Sequence, residues 1–125
     1  MAKKNILVIE DNHAILDVIT LILESEAFNV AGLNKGADFI KHVTEFKPDV
    51  IVMDIMLPDI DGRILLKELK DNPLTSHIPA LMISARYNEN NYMLDDVTAD
   101  DFMAKPFNID DLMDKIYALL RKSSI

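Results

Sequence analysis

Short apolar runs alternate along this chain with segments whose apolar side chains recur at the spacing of a helix. The apolar runs lie at 6–9, 30–33, 50–53, 80–83 and, more weakly, 102–104. Alternating strands and helices form parallel sheets with right-handed crossovers and with helices on both faces. The runs 6–9 and 50–53 are almost wholly apolar, as strands covered on both faces should be. The pattern therefore predicts a doubly wound α/β sandwich.

The helical segments differ in how strongly they are marked. Apolar positions at helical spacing run through 15–23, 39–46 and 65–69. A last helix is indicated over 109–120, with Asn108 as its N-cap and acidic residues in its first turn. The segment 88–96 has few apolar markers and is rich in asparagine, so it predicts only a marginal fourth helix before the last one.

Length and composition narrow the class of protein. The 125 residues contain no linker, repeat or low-complexity segment, which predicts a single domain over 1–125 without an attached output domain. The absence of cysteine excludes disulfide and thiolate sites and suits a reducing compartment. No leader and no apolar run of about 20 residues is present, so we expect a cytoplasmic protein without membrane contact. The net charge of −8 disfavours direct nucleic-acid binding.

Polar residues follow four of the predicted strands at the point where each strand ends. Glu10 and Asp11 follow the first strand, Asp54 the third, Ser84 the fourth and Lys105 the fifth. Because the carboxyl ends of parallel strands meet at one edge of a sheet, we expect these side chains to converge.

Three converging carboxylates repel one another unless a cation lies between them. Mg²⁺ or Mn²⁺ suits such a site, because these ions take oxygen ligands, and two aspartates, a backbone carbonyl near Met56 and waters would suffice. Glu10 and Asp11 alone are better explained as solvated acids that begin a loop. Asp54 is different, since a carboxylate directly after a buried strand has a desolvation cost that a metal or a lysine must offset.

Four separated motifs resemble one known family over nearly the whole chain. They are Val8 to Asn12, Asp54 to Gly62, Ser84-Ala85 and Lys105 to Phe107. In this order and at these spacings they resemble the receiver domain of two-component response regulators. The resemblance implies a flavodoxin-like three-layer sandwich, in which a five-stranded parallel sheet has the strand order 2-1-3-4-5.

The resemblance also implies roles for the residues at the strand ends. Asp54 would be the phosphoacceptor, Asp11, Asp54 and the Met56 carbonyl would bind Mg²⁺ directly, and Glu10 would support the ion through water. The chain would then catalyse only its own phosphorylation and dephosphorylation, mainly by positioning and charge neutralisation. It would not be an enzyme acting on other substrates.

Two further residues would contact the phosphoryl group, and one would report its presence. Ser84 and Lys105 would bind phosphoryl oxygens, although a turn hydroxyl and a solvated lysine are the plainer explanations of each alone. The family's switch pairs Ser84 with the aromatic residue Phe102, which turns inward on phosphorylation, whereas simple core packing explains Phe102 equally well. Lys105-Pro106 resembles the family's cis peptide bond, which would aim the lysine at the site, and an ordinary trans turn is the alternative.

The resemblance implies classes of partner but does not identify individual proteins. The phosphoryl donor would be a sensor histidine kinase or a phosphotransfer protein, and the downstream target an unknown protein. The output surface is expected on the segment 88–96, the fifth strand and the last helix. The chain would be a monomer or a weak dimer that forms on phosphorylation.

Some positions depart from the family's pattern. Ala27, Asp59 and Thr98 stand where glycine is common, so we expect a rerouted backbone at Ala27 and Thr98 and extra charge at Asp59. Asp61 and Gly62 are expected to form a turn and a helix cap and to take no part in the chemistry.

Two other functions share parts of this pattern. A phosphohydrolase with an aspartyl-phosphate intermediate would usually carry a second aspartate two residues after the nucleophile, where this chain has Met56. A receiver-like binding module that is never phosphorylated would have no need for a complete set of acids, hydroxyl and lysine.

Overall fold

A computed structural model of the chain describes residues 3–88, 90–93 and 98–123. Within these residues five strands form one sheet in the order β2-β1-β3-β4-β5, and every neighbouring pair is parallel. This confirms the predicted fold class and strand order. The strands are β1 (Asn5–Ile9), β2 (Asn29–Leu33), β3 (Val50–Asp54), β4 (Ala80–Ser84) and β5 (Asp101–Ala104).

The described helices agree with the predicted segments. They are α1 (His13–Ser25), α2 (Phe39–Phe46), α3 (Gly62–Asp71) and α4 (Ile109–Ser123). The predicted marginal helix at 88–96 is tested only in part, because position 89 and positions 94–97 lie outside the described residues. Residues 88 and 90–93 contain a turn and no helix. None of the helices in the described ranges combines the length and the apolar character needed to cross a membrane.

The core consists of two apolar layers, one on each face of the sheet. Strands β3 and β4 are buried along their whole length, and successive side chains point to opposite faces. Ile51 and Met53 pack with α2 and α3 on one face, while Val50 and Val52 pack with α1 and α4 on the other. The sheet is thereby held rigidly between two helical layers, and its carboxyl edge is left free to carry polar groups.

The turn after α1 contains the first departure from the family's glycine pattern. The Ala27 N–H donates to the Glu24 carbonyl, and the Phe28 N–H donates to the Leu23 carbonyl. These two bonds form a Schellman motif, which needs a left-handed residue between them, and Ala27 has φ of 68°. The expected rerouting of the backbone at Ala27 is therefore wrong: the alanine adopts the conformation that glycine usually provides. Leu23 and Phe28, both buried, pack together behind the turn.

We predict that Ala27→Gly raises the free energy of unfolding by roughly 0.5–1 kcal/mol. The left-handed conformation strains an alanine by about 1–2 kcal/mol, and the greater entropy of glycine in the unfolded chain removes part of the gain. Chemical denaturation of both proteins measures the difference. The matched control is Ala118→Gly inside α4, where the same substitution should destabilise. A loss of stability in both variants would contradict the prediction.

Candidate functional site

The strand order brings the acids of β1 and β3 side by side. Ile9 pairs with Met53, so the residues that follow these strands leave the sheet together. The chain crosses to opposite sides of the sheet from β1 and from β3, and this reversal opens a crevice at the carboxyl edge. One carboxylate oxygen each from Glu10, Asp11 and Asp54 lies there, all within 4.8 Å of one another. The predicted convergence of the acids is found.

Asp54 is the last residue of β3 and is only 3% exposed. Its Oδ1 accepts a hydrogen bond from the Met56 N–H at 3.0 Å, which bends the chain out of the sheet. An antiparallel bridge between Met56 and Asp61 then closes the loop. The backbone carbonyl of Met56, the predicted metal ligand, therefore belongs to a loop that is fixed at both ends.

Gly62 ends this loop and begins α3, and no other residue fits there. A Cβ at this position would lie 2.3 Å from the Asp54 carbonyl oxygen. Asp61 accepts a hydrogen bond from the Arg63 N–H at 2.8 Å as the N-cap of α3, so the predicted turn and capping roles are confirmed. Asp59 also has a partner, because its Oδ1 accepts from the Gly36 N–H at 2.8 Å and ties the loop to the chain after β2.

Lys105 reaches into the acidic cluster from the end of β5. Its Nζ lies 2.8 Å from Asp54 Oδ2 and 2.5 Å from Glu10 Oε1, and its side chain is 14% exposed. Burial lowers the pKa of Lys105, but the hydrogen bond to Asp54 and the nearby Glu10 outweigh burial and raise it overall. The ammonium therefore stays charged at neutral pH. The Lys105-Pro106 bond is cis.

Glu10 is the most confined of the three acids. It has no exposed surface, and its Oε2 accepts a hydrogen bond from the Asn12 N–H. Its Oε1 has no hydrogen-bond partner among the described residues, despite the short distance to Lys105. Burial raises the pKa of Glu10 to about 7, although the Lys105 ammonium and the Asn12 N–H oppose the shift.

This set of side chains fits a hard divalent cation. Three carboxylates face one ammonium, and one buried carboxylate oxygen lacks a hydrogen bond. Oxygen donors of this kind are the ligands that Mg²⁺ and Mn²⁺ prefer. Glu10, Asp11, Asp54 and the Met56 carbonyl are the groups that would hold or support the ion.

Ser84 and Phe102 lie where the sequence placed them, at the end of β4 and within β5. The Ser84 side chain is buried, and its Oγ accepts hydrogen bonds from the N–H groups of Arg86 and Tyr87, both at 3.0 Å. Phe102 is 8% exposed and stacks on Tyr92 with ring centroids 4.8 Å apart. Phe102 therefore already points into the core in this structure, and its predicted switch role stays a prediction.

Sequence reasoning missed an arginine beside the site. The Arg63 guanidinium pairs with Asp61 at 2.6 Å and lies over the Tyr87 ring, 4.4 Å from its centroid. The sequence assigned no role to Arg63 because these partners come from separate loops and share no periodic pattern. The capping position of Asp61 was the one available signal.

Comparison with known proteins identifies the class. The family model described as the response regulator receiver domain matches residues 6–117. The chain belongs to this family, the receiver domains of the response regulators of two-component systems.

Several curated relatives and solved structures are similar to the chain. It is 35% identical over 123 residues to the alkaline phosphatase synthesis transcriptional regulatory protein PhoP of Bacillus subtilis, covering 98% of the chain and 50% of PhoP. It is 36% identical over 120 residues to the transcriptional regulatory protein KdpE of Staphylococcus aureus, covering 95% of the chain and 51% of KdpE. The chain thus spans about half the length of these relatives.

A solved structure shares the fold over almost its whole length. A CheY-like response regulator receiver domain protein from Methanospirillum hungatei superposes with a TM-score of 0.89 at 28% sequence identity, covering 98% of each chain. The CheY4 chemotaxis response regulator of Vibrio cholerae has a TM-score of 0.85 at 20% identity, covering 94% of this chain and 99% of CheY4, and this likeness concerns the fold alone.

We predict that Mg²⁺ binding weakens roughly tenfold between pH 8 and pH 6. Glu10, with its pKa raised to about 7, is charged above that pH and protonated below it, so protons compete with the cation on the acidic side. Isothermal titration with MgCl₂ measures the dissociation constant at each pH. The variant Glu10→Gln should bind more weakly and lose most of the pH dependence.

A histidine control tests whether Glu10 is the group responsible. His13 is a second ionisable side chain and lies two residues from Asp11 at the start of α1. The variant His13→Gln should keep the pH dependence of the unchanged chain. The Glu10 prediction is wrong if the dependence disappears with His13→Gln or persists in Glu10→Gln.

Proposed function

We propose that the chain accepts a phosphoryl group on Asp54, in a reaction that requires Mg²⁺ or Mn²⁺, and that the phosphorylated form signals by altered protein binding. The observation that carries this proposal is the position of the Asp54 carboxylate. It is buried at the carboxyl edge of the sheet, 2.8 Å from Lys105 Nζ and within the cluster of acids. A buried acid with one oxygen on an ammonium is oriented for attack on an incoming phosphorus.

The chemistry consists mainly of positioning and charge neutralisation. An oxygen of Asp54 forms the new bond to phosphorus, while the bond from phosphorus to an imidazole nitrogen of the donor breaks. Lys105 and the Ser84 hydroxyl would bind oxygens of the transferred group. Asp11, Asp54 and the Met56 carbonyl would hold the metal, which when bound would offset the negative charge of the phosphoryl group and the acids.

The residues beside Asp54 argue against fast hydrolysis of outside phosphate esters. Met56, two residues after Asp54, is 43% exposed and offers no carboxylate to act as a general acid or base. We therefore expect the chain to catalyse its own phosphorylation and dephosphorylation and not the turnover of other phosphate esters.

We predict that acetyl phosphate with Mg²⁺ adds the mass of one phosphoryl group to the chain, and that Asp54→Asn abolishes the addition. Intact-protein mass spectrometry measures both. The control Asp71→Asn, at the exposed end of α3, should be labelled like the unchanged chain. Labelling that persists in Asp54→Asn would mean that another residue accepts the phosphoryl group. The absence of labelling in every variant would favour a binding module that is never phosphorylated. Repeated turnover of small phosphate esters would favour a phosphohydrolase.

An apolar groove beside the site supports a protein as the natural donor. It has a volume of about 530 Å³ and runs between α1 and the segment that follows β5, next to Lys105. Val18 of α1 lines it and is 49% exposed. A partner that packs its own apolar helix face here would bring a phosphohistidine to the edge that holds Asp54. The sensor histidine kinase or phosphotransfer protein predicted from the sequence fits this description.

We predict that Val18→Asp slows phosphotransfer from a histidine kinase by roughly tenfold or more and leaves the reaction with acetyl phosphate unchanged. A buried charge would disrupt packing in the groove, whereas a small donor needs no groove. The assay uses an autophosphorylated kinase that transfers to the unchanged chain. The control is Leu74→Asp, which changes a more exposed apolar residue in the turn after α3, at the opposite edge of the sheet. Equal slowing with both donors would contradict a docking role for the groove.

The remaining expectations from the sequence stay predictions. They are the downstream protein target, the output surface on the segment 88–96, β5 and α4, the cytoplasmic location and the monomeric or weakly dimeric state. The comparisons do not support the expectation that nucleic acid is not bound directly. One relative is the DNA-binding response regulator MtrA of Mycolicibacterium smegmatis, which is 29% identical over 122 residues and of which the chain covers 52%.

A further inference from the structure

One guanidinium joins the two loops that flank the site. Arg63, in the first turn of α3, donates from Nε and Nη2 to both carboxylate oxygens of Asp61. Its Nη2 also contacts the Tyr87 hydroxyl at 3.3 Å, and its Nη1 donates to the Tyr92 carbonyl at 3.3 Å. The Arg63 side chain is 13% exposed, so these bonds are largely shielded from water.

The Asp61 end of this contact is fixed to the metal loop. Asp61 caps α3 and pairs with Met56, whose carbonyl is the proposed metal ligand. The hydrogen bond from Arg63 holds the pKa of Asp61 below its usual value, so the carboxylate stays charged. A two-point arginine–carboxylate pair of this kind has a defined orientation. The guanidinium is therefore held in place from the side of β3 and α3.

On its other side, the Arg63 guanidinium contacts the segment that follows Ser84. We name the described residues 85–88 and 90–93 the post-β4 segment. Its Tyr87 donates a backbone hydrogen bond to Ser84 Oγ, while the Tyr87 ring lies against Arg63. Its Tyr92 stacks on Phe102, and the Tyr92 hydroxyl accepts from the Ala99 N–H. Arg63 is thus linked to the phosphoryl-sensing hydroxyl through Tyr87 and to the aromatic of β5 through Tyr92.

These links oppose any movement of Ser84. If its hydroxyl shifts toward a phosphoryl group on Asp54, the N–H groups of Arg86 and Tyr87 must follow it or lose their acceptor. Tyr87 cannot follow freely while its ring and hydroxyl are held by Arg63. The geometry points to Arg63 as a positioning residue that holds the post-β4 segment in its unphosphorylated arrangement and so raises the free-energy cost of activation. This inference rests on the proposed function of Asp54.

Removing the restraint should make the activated arrangement easier to reach. Beryllofluoride is a small analogue of a phosphoryl group that would bind at Asp54 with Mg²⁺. A ligand that favours the activated arrangement binds more tightly when the free-energy difference between the two arrangements is smaller. Arg63→Met should therefore bind beryllofluoride about five- to tenfold more tightly. Titration calorimetry at saturating Mg²⁺ measures this. Weaker or unchanged binding would overturn the inference, since weaker binding means that Arg63 only supports the site.

A second variant tests whether the effect passes through Tyr87. Tyr87→Phe removes the hydroxyl that contacts Arg63 but leaves the Arg63–Asp61 pair intact, so it should give part of the same tightening. The double variant should then bind no more tightly than Arg63→Met alone. Additive effects would contradict a shared mechanism. The control Lys67→Met, in which an exposed lysine paired with Asp71 on the same helix is replaced, should leave beryllofluoride binding unchanged.

Hydrogen exchange separates failure of this inference from failure of the proposed function. In the unphosphorylated protein, the amides of Arg86 and Tyr87 should exchange faster in Arg63→Met than in the unchanged chain or in Lys67→Met. If beryllofluoride does not bind the unchanged chain and acetyl phosphate does not label it, the function of Asp54 is wrong, while faster exchange still supports the restraint. Unchanged exchange overturns the restraint whatever the fate of Asp54.

Discussion

The burial of two carboxylates against one lysine is the interaction on which the site depends. Glu10 has no exposed surface and Asp54 is 3% exposed, so neither could remain charged there without compensation. Lys105 supplies one positive charge to both. The remaining negative charge makes the site favourable for a divalent cation. The pKa of Glu10 rises to about 7 mainly because the carboxyl group is buried, and the nearby Asp54 adds to the rise. The oxygen donors of the three acids are the kind of ligand that a hard cation prefers.

The fold can hold these acids close together because the strands that end at them are packed firmly in the sheet. β1 and β3 are adjacent and parallel, and both helical layers press their side chains into the sheet. Lys105 and Asp54 are 51 residues apart in the chain, yet the order of the strands places them at one edge. The burial of apolar side chains in the core therefore holds the acids close together despite their mutual repulsion and their desolvation cost.

The sequence predicted the parts of this structure that follow from the burial of apolar residues and from their spacing along the chain. Apolar runs marked the strands because both faces are covered, and parallel topology then placed Asp54, Ser84 and Lys105 together. Prediction failed where one local interaction outweighs another: at Ala27, two backbone hydrogen bonds and the packing of Phe28 on Leu23 overcome the strain of a left-handed alanine. The Arg63 contacts could not be predicted for another reason. They join loops that come together only in the folded protein and that share no periodic sequence pattern.

The position of Phe102 changes what a switch in this chain has to do. An aromatic that is exposed before phosphorylation can report the event by turning inward, but Phe102 is already buried and stacked on Tyr92. If Asp54 is phosphorylated as proposed, the signal needs another moving part, and the post-β4 segment is the candidate. Its Arg86 and Tyr87 N–H groups donate to the Ser84 hydroxyl, and its Tyr92 hydroxyl accepts from the Ala99 N–H. Coupling of this kind is reciprocal: a partner that binds the rearranged segment must stabilise the phosphorylated site by the same free energy. Target binding and phosphorylation are then two ways of shifting one equilibrium.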